Sequence, residues 1–345
     1  MAILAMASWL VTFAFNLQTR SPTAGRMPTM SDVVTPPYAP VLLMAGMHRS
    51  GTSLTSSLCQ SGGLFIGESL NPPDKASPLG HFEDLDFLWF HERTLVSNSL
   101  APTGFDITDN VPQVSEQSVA EAHALVAKRR GLGVPWGWKD PRATMFLEFW
   151  AQQIPDAKFL LVFRKPWEVA DSLFRRGDTE SRLGNEPLRA LKLWQQYNAL
   201  ILKFAKAHPS RVLVREFTQL IASPSLVFAD IRSKLWIPLA DPRPLYRDDM
   251  PHIADAPIQE CLVAMGAPEC LSLYAELQAL SGSVTQPVGS AGLNAVSRSV
   301  IERAFAEWSR SSAPAEAGEP IVGQPDAAIL PIGTEQSAPS STAVA

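Results

Sequence analysis

Short apolar runs alternate along this chain with longer stretches whose apolar residues recur at helical spacing. Val41 to Ala45 is an aliphatic run with the length and character of a buried strand. The loop Gly46-Met47-His48-Arg49-Ser50-Gly51-Thr52-Ser53 follows, and Leu54 and Leu58 then mark a helix. Leu64 to Ile66 is a shorter apolar run that leads to a turn cluster, Asn71-Pro72-Pro73-Asp74. Leu85 to Leu95 has helical periodicity. Ser115 to Arg130 has it too, with Val119, Ala122, Leu125 and Val126 on one face and Gly131 and Gly133 as the stop. Trp136 to Trp138 reads as the end of a buried strand, Thr144 to Ile154 as a helix, and Phe159 to Phe163 as a continuous apolar strand. Pro166 opens the next helix. Further helices are predicted over Gly184 to His208 and Leu226 to Leu235, with a strand at Arg211 to Val214 between them. Beyond Ala240, proline-rich sequence gives way to helices expected at about Pro257 to Ser281 and Ala295 to Ser309. Strands alternating with helices predict an α/β fold, a central parallel β-sheet flanked by helices with right-handed crossovers.

The two ends depart from this pattern. Ala2 to Phe15 is almost wholly apolar, yet shorter than the roughly 20 residues that a spanning helix needs. No basic residue precedes it, as a secretory signal would require, and Arg20 and Arg26 follow it instead. Three readings stand: a weak membrane-inserting or interfacial segment over residues 2–15, a poor signal sequence, or a start assigned too early, with Met27 or Met30 as the later start. Ser21 to Pro40 contains five prolines and is linker-like. After Arg310 no lysine or arginine occurs, and residues 311–345 are expected to be disordered. The globular domain is therefore expected over residues 41–310, its core over 41–238 with a helical C-terminal extension.

Composition narrows the class. A chain of 345 residues, 46% hydrophobic and 18% charged, can bury a full core. A net charge of −5 argues against a general nucleic-acid binder. The three cysteines, Cys59, Cys261 and Cys270, have no metal-ligand spacing. Their odd count suits a reducing, cytoplasmic compartment without a disulfide framework, with a Cys261–Cys270 bridge left open.

The loop after the first strand carries the clearest chemistry. A glycine-bounded loop between a strand and a helix holds anions, because its N–H groups and the unpaired first-turn amides converge on one point. Gly46 and Gly51 let the backbone turn tightly, and Thr52 and Ser53 add hydroxyl donors. The spacing is that of the G-x-x-x-x-G-K-[ST] loop of nucleoside triphosphatases. Thr52, however, stands where that loop has lysine, and Arg49 is the only cation within it. A kinase or triphosphatase would need a lysine at position 52 and a carboxylate for magnesium. A non-catalytic nucleotide-binding protein is the reading from another class. Further on, Arg164 stands at the C-terminal end of an apolar strand, where ligands gather in open α/β sheets. Ser172 follows eight residues later on the next helix. An arginine fork plus a hydroxyl suits a phosphate dianion.

GMHRSGTSL, with its cation before Ser-Gly-Thr, resembles the 5′-phosphosulfate loop of sulfotransferases in the form seen in the bacterial sulfotransferase family. Trp138-Lys139-Asp140-Pro141-Arg142 matches that family's WKDPR signature, and the Arg164–Ser172 spacing is similar to its 3′-phosphate site. The Arg215 to Pro224 segment is similar to V-R-Y-E-D-L-x-x-x-P. Phe217 there replaces tyrosine and Thr218-Gln219 replace the acid, which puts any polar role of those positions in doubt. The resemblance covers about Val41 to Pro238.

What the resemblance implies is a P-loop-like sulfotransferase fold. It further implies in-line transfer of a sulfuryl group, without a metal, from 3′-phosphoadenosine 5′-phosphosulfate (PAPS) to a hydroxyl or amine of a glycan or small molecule. The donor would be held by His48, Arg49, Ser50, Gly51, Thr52 and Ser53, and by Arg164 and Ser172 at its 3′-phosphate. Arg49 would neutralise charge on the leaving group. Lys139 and Arg142 would be delivered toward donor or acceptor, with Asp140 holding one of them. Transfer to a hydroxyl needs a base within hydrogen-bond reach, and the family has a carboxylate in a glycine-aromatic block at about the distance of Gly80-His81-Phe82-Glu83. Glu83 is thus the favoured catalytic base, with His81, His91 and Asp86 as alternatives. A cap on the following helix is the plainer use of Glu83 and Asp84. Trp89-Phe90 could stack on a sugar or pack in the core.

Overall fold

The computed structural model describes residues 38–283 except 75–76, 78–79, 109, 176–186 and 244–256, together with 303, 304 and 307. The apolar segment 2–15, the tail 311–345 and most of the helix expected at 295–309 lie outside the described residues. The chain divides after Ala39 into two units, and the fold below is that of the second, Pro40–Ala345.

Four strands form one parallel sheet in the order β2-β1-β3-β4: β1 (Val41–Ala45), β2 (Trp136–Lys139), β3 (Lys158–Phe163) and β4 (Val212–Glu216). Leu43 of β1 is level with Trp138 on one side and Phe159 on the other, and Leu161 is level with Val214. All of β1 is buried, as a sheet covered on both faces requires. Alternation sorts the side chains. Leu42, Met44, Leu160, Val162 and Leu213 share a core with Leu58 of α1 (Thr52–Ser61), Leu220 of α7 (Phe217–Ala222), and Phe228 and Ile231 of α8 (Pro224–Lys234). On the other face Phe87 of α2 (Leu85–Ser97) stacks on Trp138 with ring centroids 4.0 Å apart. Trp150 of α4 (Leu147–Gln153) meets Trp138 edge-on at 4.9 Å. Phe159 packs against Phe204 of α6 (Pro187–Ala207), and Phe163 against Tyr274 of α10 (Pro268–Ser281). The remaining helices are α3 (Glu116–Arg130), α5 (Pro166–Arg175) and α9 (Pro257–Gly266).

Local chemistry accounts for the boundaries. Asp84 caps α2 by accepting from the Asp86 amide at 3.0 Å, and Ser115 caps α3 through the Ser118 amide. Lys128, Arg129 and Arg130 fill the last turn of α3, where the helix dipole favours cations. Two expectations change and one helix is added. Pro141–Phe146 is a 3-10 helix capped by Asp140, so α4 begins only at Leu147 rather than at Thr144. Phe217–Ala222 is a helix of its own because Glu216 and Gln219 cap it reciprocally. The single helix expected over Pro257 to Ser281 is two, because Pro268 lacks the N–H to continue one and instead opens α10. Cys270 is a free buried thiol, so it forms no bridge to Cys261. Among the described residues no helix is long and apolar enough to cross a membrane.

Because β1 lies between β2 and β3, the chain leaves it toward one side and later returns on the other. The C-terminal edge between β1 and β3 is therefore the topological switch point, where sheets of this kind bind ligands. The approach of β2 depends on Gly137, where a Cβ would run into the Leu42 carbonyl of β1. Gly137→Ala should cost about 1–3 kcal/mol, the range of overpacking a tight core, read as a lowered urea midpoint. A change below roughly 0.5 kcal/mol, the size of an indifferent surface substitution, would contradict this pairing.

Candidate active site

The loop between β1 and α1 is shaped by two glycines. A Cβ on Gly46 would meet the Val162 carbonyl across the crevice, and one on Gly51, at φ 88°, would drive into the Phe217 ring. Between them Arg49 holds φ 67°, a left-handed conformation that costs a non-glycine residue on the order of 1 kcal/mol or more. Among the described residues no side chain caps α1, and its first turn carries no acid. The first-turn amides and the positive end of the dipole are thus left for a ligand. Ser50 is buried, and its hydroxyl has no hydrogen-bond partner among the described residues, an unusual state for a buried polar group. Thr52 is buried at the start of α1, and the His48 ring lies edge-on to Phe105 with centroids 4.7 Å apart. The cradle, its uncommitted donors and the absence of an acid fit a phosphate.

On the β2 side, Lys139 is only 2% exposed. Its ammonium donates to Ser53 Oγ at 3.1 Å, to the His81 carbonyl at 2.9 Å and to Glu83 Oε1 at 2.8 Å. All three N–H donors are therefore engaged. Glu83, also buried, accepts from Asn71 Nδ2 at 2.9 Å on Oε2, and Arg142 Nη2 lies 3.6 Å from the same oxygen. Asn71 grips Glu83 a second time, its amide donating to the Glu83 carbonyl at 2.8 Å. Phe82, just before Glu83, is a second non-glycine residue in the left-handed region, at φ 57°. Backbone strain thus brackets the site at Arg49 and Phe82.

The other base candidates have different commitments. His81 turns its carbonyl to Lys139 and Ser53, while its imidazole Nε2 sits 3.1 Å from Asp74 Oδ2. His91 is fully buried. Its Nε2 accepts from Trp150 Nε1 at 2.9 Å, so the proton sits on Nδ1, 2.8 Å from Asp140 Oδ2. With both ring nitrogens occupied, His91 is a structural strut. Asp86 is bound by Arg129 at 2.8 Å and Lys128 at 3.5 Å. Arg142 is buried among carboxylates, with Asp140 Oδ1 at 2.9 Å and Glu92 Oε1 at 2.6 Å, so Asp140 holds the arginine and not the lysine. Burial alone would raise the Asp140 carboxyl, but Arg142 and His91 beside it win and hold it well below the usual carboxylate range. Phe90 is buried in the aromatic cluster, and Trp89 beside it is 48% exposed.

On the β3 side, Arg164 donates from Nε to Glu168 Oε2 at 2.7 Å and from Nη1 to the Arg49 carbonyl at 3.4 Å. Its guanidinium lies 4.7 Å from the centre of the Phe217 ring, a cation–π contact. Ser172 Oγ accepts from Arg49 Nε at 2.9 Å. Arg49, Arg164 and Ser172 therefore form one cluster, and Ser53, Lys139 and Glu83 form another, with the loop joining the two. Arg142 reaches the second cluster only through Glu83. Sequence reasoning missed the Asn71 clamp, the Phe217 backing and the Trp150–His91–Asp140 chain. Asn71 was visible only as part of a turn.

The sulfotransferase family model matches residues 40–241, which contain all four strands and both clusters. The chain belongs to the sulfotransferase family, and its chemistry is sulfuryl transfer. Among solved structures it is similar to a sulfotransferase from Alicyclobacillus acidocaldarius, at 19% identity and a TM-score of 0.42 over 71% of this chain and 97% of that one. It is also similar to sulfotransferase STF9 from Mycobacterium avium, at 16% identity and a TM-score of 0.39 over 82% and 79%. No curated protein matches it.

The Asp140 pair gives the site an acid limit. A carboxylate with a depressed folded pKa contributes its full stabilisation above its unfolded value near 4 and loses it as pH falls toward the folded value. Asp140→Asn should cost about 3–5 kcal/mol at neutral pH by orphaning buried Arg142. It should also flatten the stability profile below about pH 4 by up to ~1.4 kcal/mol per pH unit, one proton's worth. Urea melts from pH 2 to 7 read both effects, and an acid limb unchanged from wild type would contradict the ion pair.

Proposed function

We propose that the donor is PAPS and that the acceptor presents a hydroxyl or amine on a glycan or small molecule. The observation that carries this reading is the meeting, at Arg49, of two anion-holding devices across the β1–β3 crevice: the Gly46–Ser53 loop on one side and Arg164 with Ser172 on the other. A ligand with two separate phosphate centres suits this arrangement better than a linear triphosphate, which would want a lysine at position 52.

PAPS supplies a sulfuryl group activated on a phosphate that departs with the nucleotide. The loop amides, that of Ser53 included, and the Ser50 and Thr52 hydroxyls hold the 5′ end. Arg164 and Ser172 hold the 3′-phosphate and so disfavour ordinary adenylates. Arg49 and Lys139 stabilise the charge that builds on the leaving oxygen, and positioning plus charge stabilisation is most of the catalysis such a transfer needs. Glu83 takes the acceptor proton. Among the described residues its Oε1 is used once, by Lys139, and a carboxylate oxygen has a second lone-pair site. Asn71 and Arg142 fix the other oxygen and aim the group. A glycan acceptor rests on family analogy and on the open face of Trp89.

Arg49→Ala should lower turnover of labelled PAPS by roughly 10²–10³, the loss when one preorganised charge-stabilising donor is removed. A loss below about tenfold would take Arg49 out of this role. Glu83→Gln should lower kcat by roughly 10²–10⁴, the span of general-base catalysis, while donor affinity holds within about threefold. Turnover of ATP in place of PAPS would sink the whole reading.

A further inference from the structure

We propose that α10, which lies outside the family-matched residues 40–241, is part of the framework of the donor site, with Tyr274 as its positioning residue. The inference rests on the donor reading above. Tyr274 is buried and touches the neighbour of each element that carries the 3′-phosphate cluster. Its ring meets Phe163, the last residue of β3 and the one before Arg164, with centroids 5.9 Å apart. It also meets Trp167, one residue before Glu168 on the helix that carries Ser172, again at 5.9 Å. Its hydroxyl donates to Glu216 Oε1 at 2.6 Å and accepts from Gln278 Nε2 at 2.9 Å. Glu216 is the last residue of β4, and its carboxylate caps α7, whose first residue is Phe217. Phe217 backs both the Arg164 guanidinium and Gly51.

The far end of α10 is tied to the same place. The Ser281 carbonyl, in the last turn, accepts from Gln219 Nε2 at 3.1 Å and from Arg215 Nη1 at 3.3 Å. These donors meet carbonyls that a helix end leaves without partners. Phe217 and Gln219 are two of the three residues that depart from the family's Y-E-D pattern, and both find their use here: Gln219 fastens α10, and Phe217 supports Arg164. The hydroxyl couples through Glu216. Without the Tyr274 hydroxyl, the buried Glu216 carboxylate loses a charge-assisted bond and its cap on α7 loosens. Phe217 then no longer holds Arg164 in register with Ser172.

The test is calorimetric titration of the full chain and of Tyr274→Phe with adenosine 3′,5′-bisphosphate and with AMP. The variant should weaken bisphosphate binding about tenfold, the worth of one hydrogen bond to a buried charge, and leave AMP within about twofold, so that the preference for the bisphosphate shrinks. An equal loss for both nucleotides marks a merely structural tyrosine and overturns the inference, as does unchanged binding of both. Should Tyr274→Phe fail to fold, Gln278→Leu, at a half-buried position, must show the same selective loss at smaller size, and its absence overturns the proposal equally. A wild-type chain with no preference for the bisphosphate would instead remove the donor reading itself. That failure appears in the wild-type arm alone, and the inference falls with it.

Discussion

A buried ammonium must be met on every side, and the satisfaction of Lys139 dictates much of what surrounds it. Three acceptors close on Nζ: the Ser53 hydroxyl, the His81 carbonyl and the Glu83 carboxylate. To supply the second and third from one short segment, the chain turns through a left-handed Phe82 and is pinned by Asn71. Supplying the first requires the start of α1 to sit over the end of β2, which the close approach of Gly137 to Leu42 permits. Removing any one partner would strand charge in a low-dielectric setting, a penalty larger than the bond itself. The pair is therefore a geometric specification as much as a source of stability.

The sheet order extends that specification to the opposite side of the loop. With β1 central, Lys139 and Arg164 are delivered to either flank of the same turn by strand ends alone. Each flank is then made rigid by a different device. Lys139 is caged by hydrogen bonds within the low-dielectric interior. Arg164 is held by Glu168 along the helix and by the Phe217 face beneath it. Arg49 joins the two flanks, and its left-handed backbone is maintained by this surrounding order.

The strands and the loop were legible because they rest on local pattern: continuous apolar runs, a glycine at each end of a turn, and a proline where a helix opens. The spacing from Arg164 to Ser172 was legible for the same reason. Partner choice was not. Nothing near Asp140 in sequence says that it grips Arg142 and leaves Lys139 to Glu83. The tautomer of His91 is set by Trp150, 59 residues away. Phe217 read as the loss of a polar group, whereas in space it is an aromatic support for a cation. The break at Pro268 and the cap by Gln219 were visible residues whose consequences needed geometry: one shortens a helix, the other creates one.

The donor reading makes the crevice between β1 and β3 a two-phosphate site. The most direct measurement is a crystal structure of the full chain with adenosine 3′,5′-bisphosphate. The 3′-phosphate should lie on Arg164 and Ser172, and the 5′-phosphate within the amides of the loop bounded by Gly46 and Gly51. A nucleotide bound elsewhere, or in the crevice with its 3′-phosphate facing solvent, would contradict it.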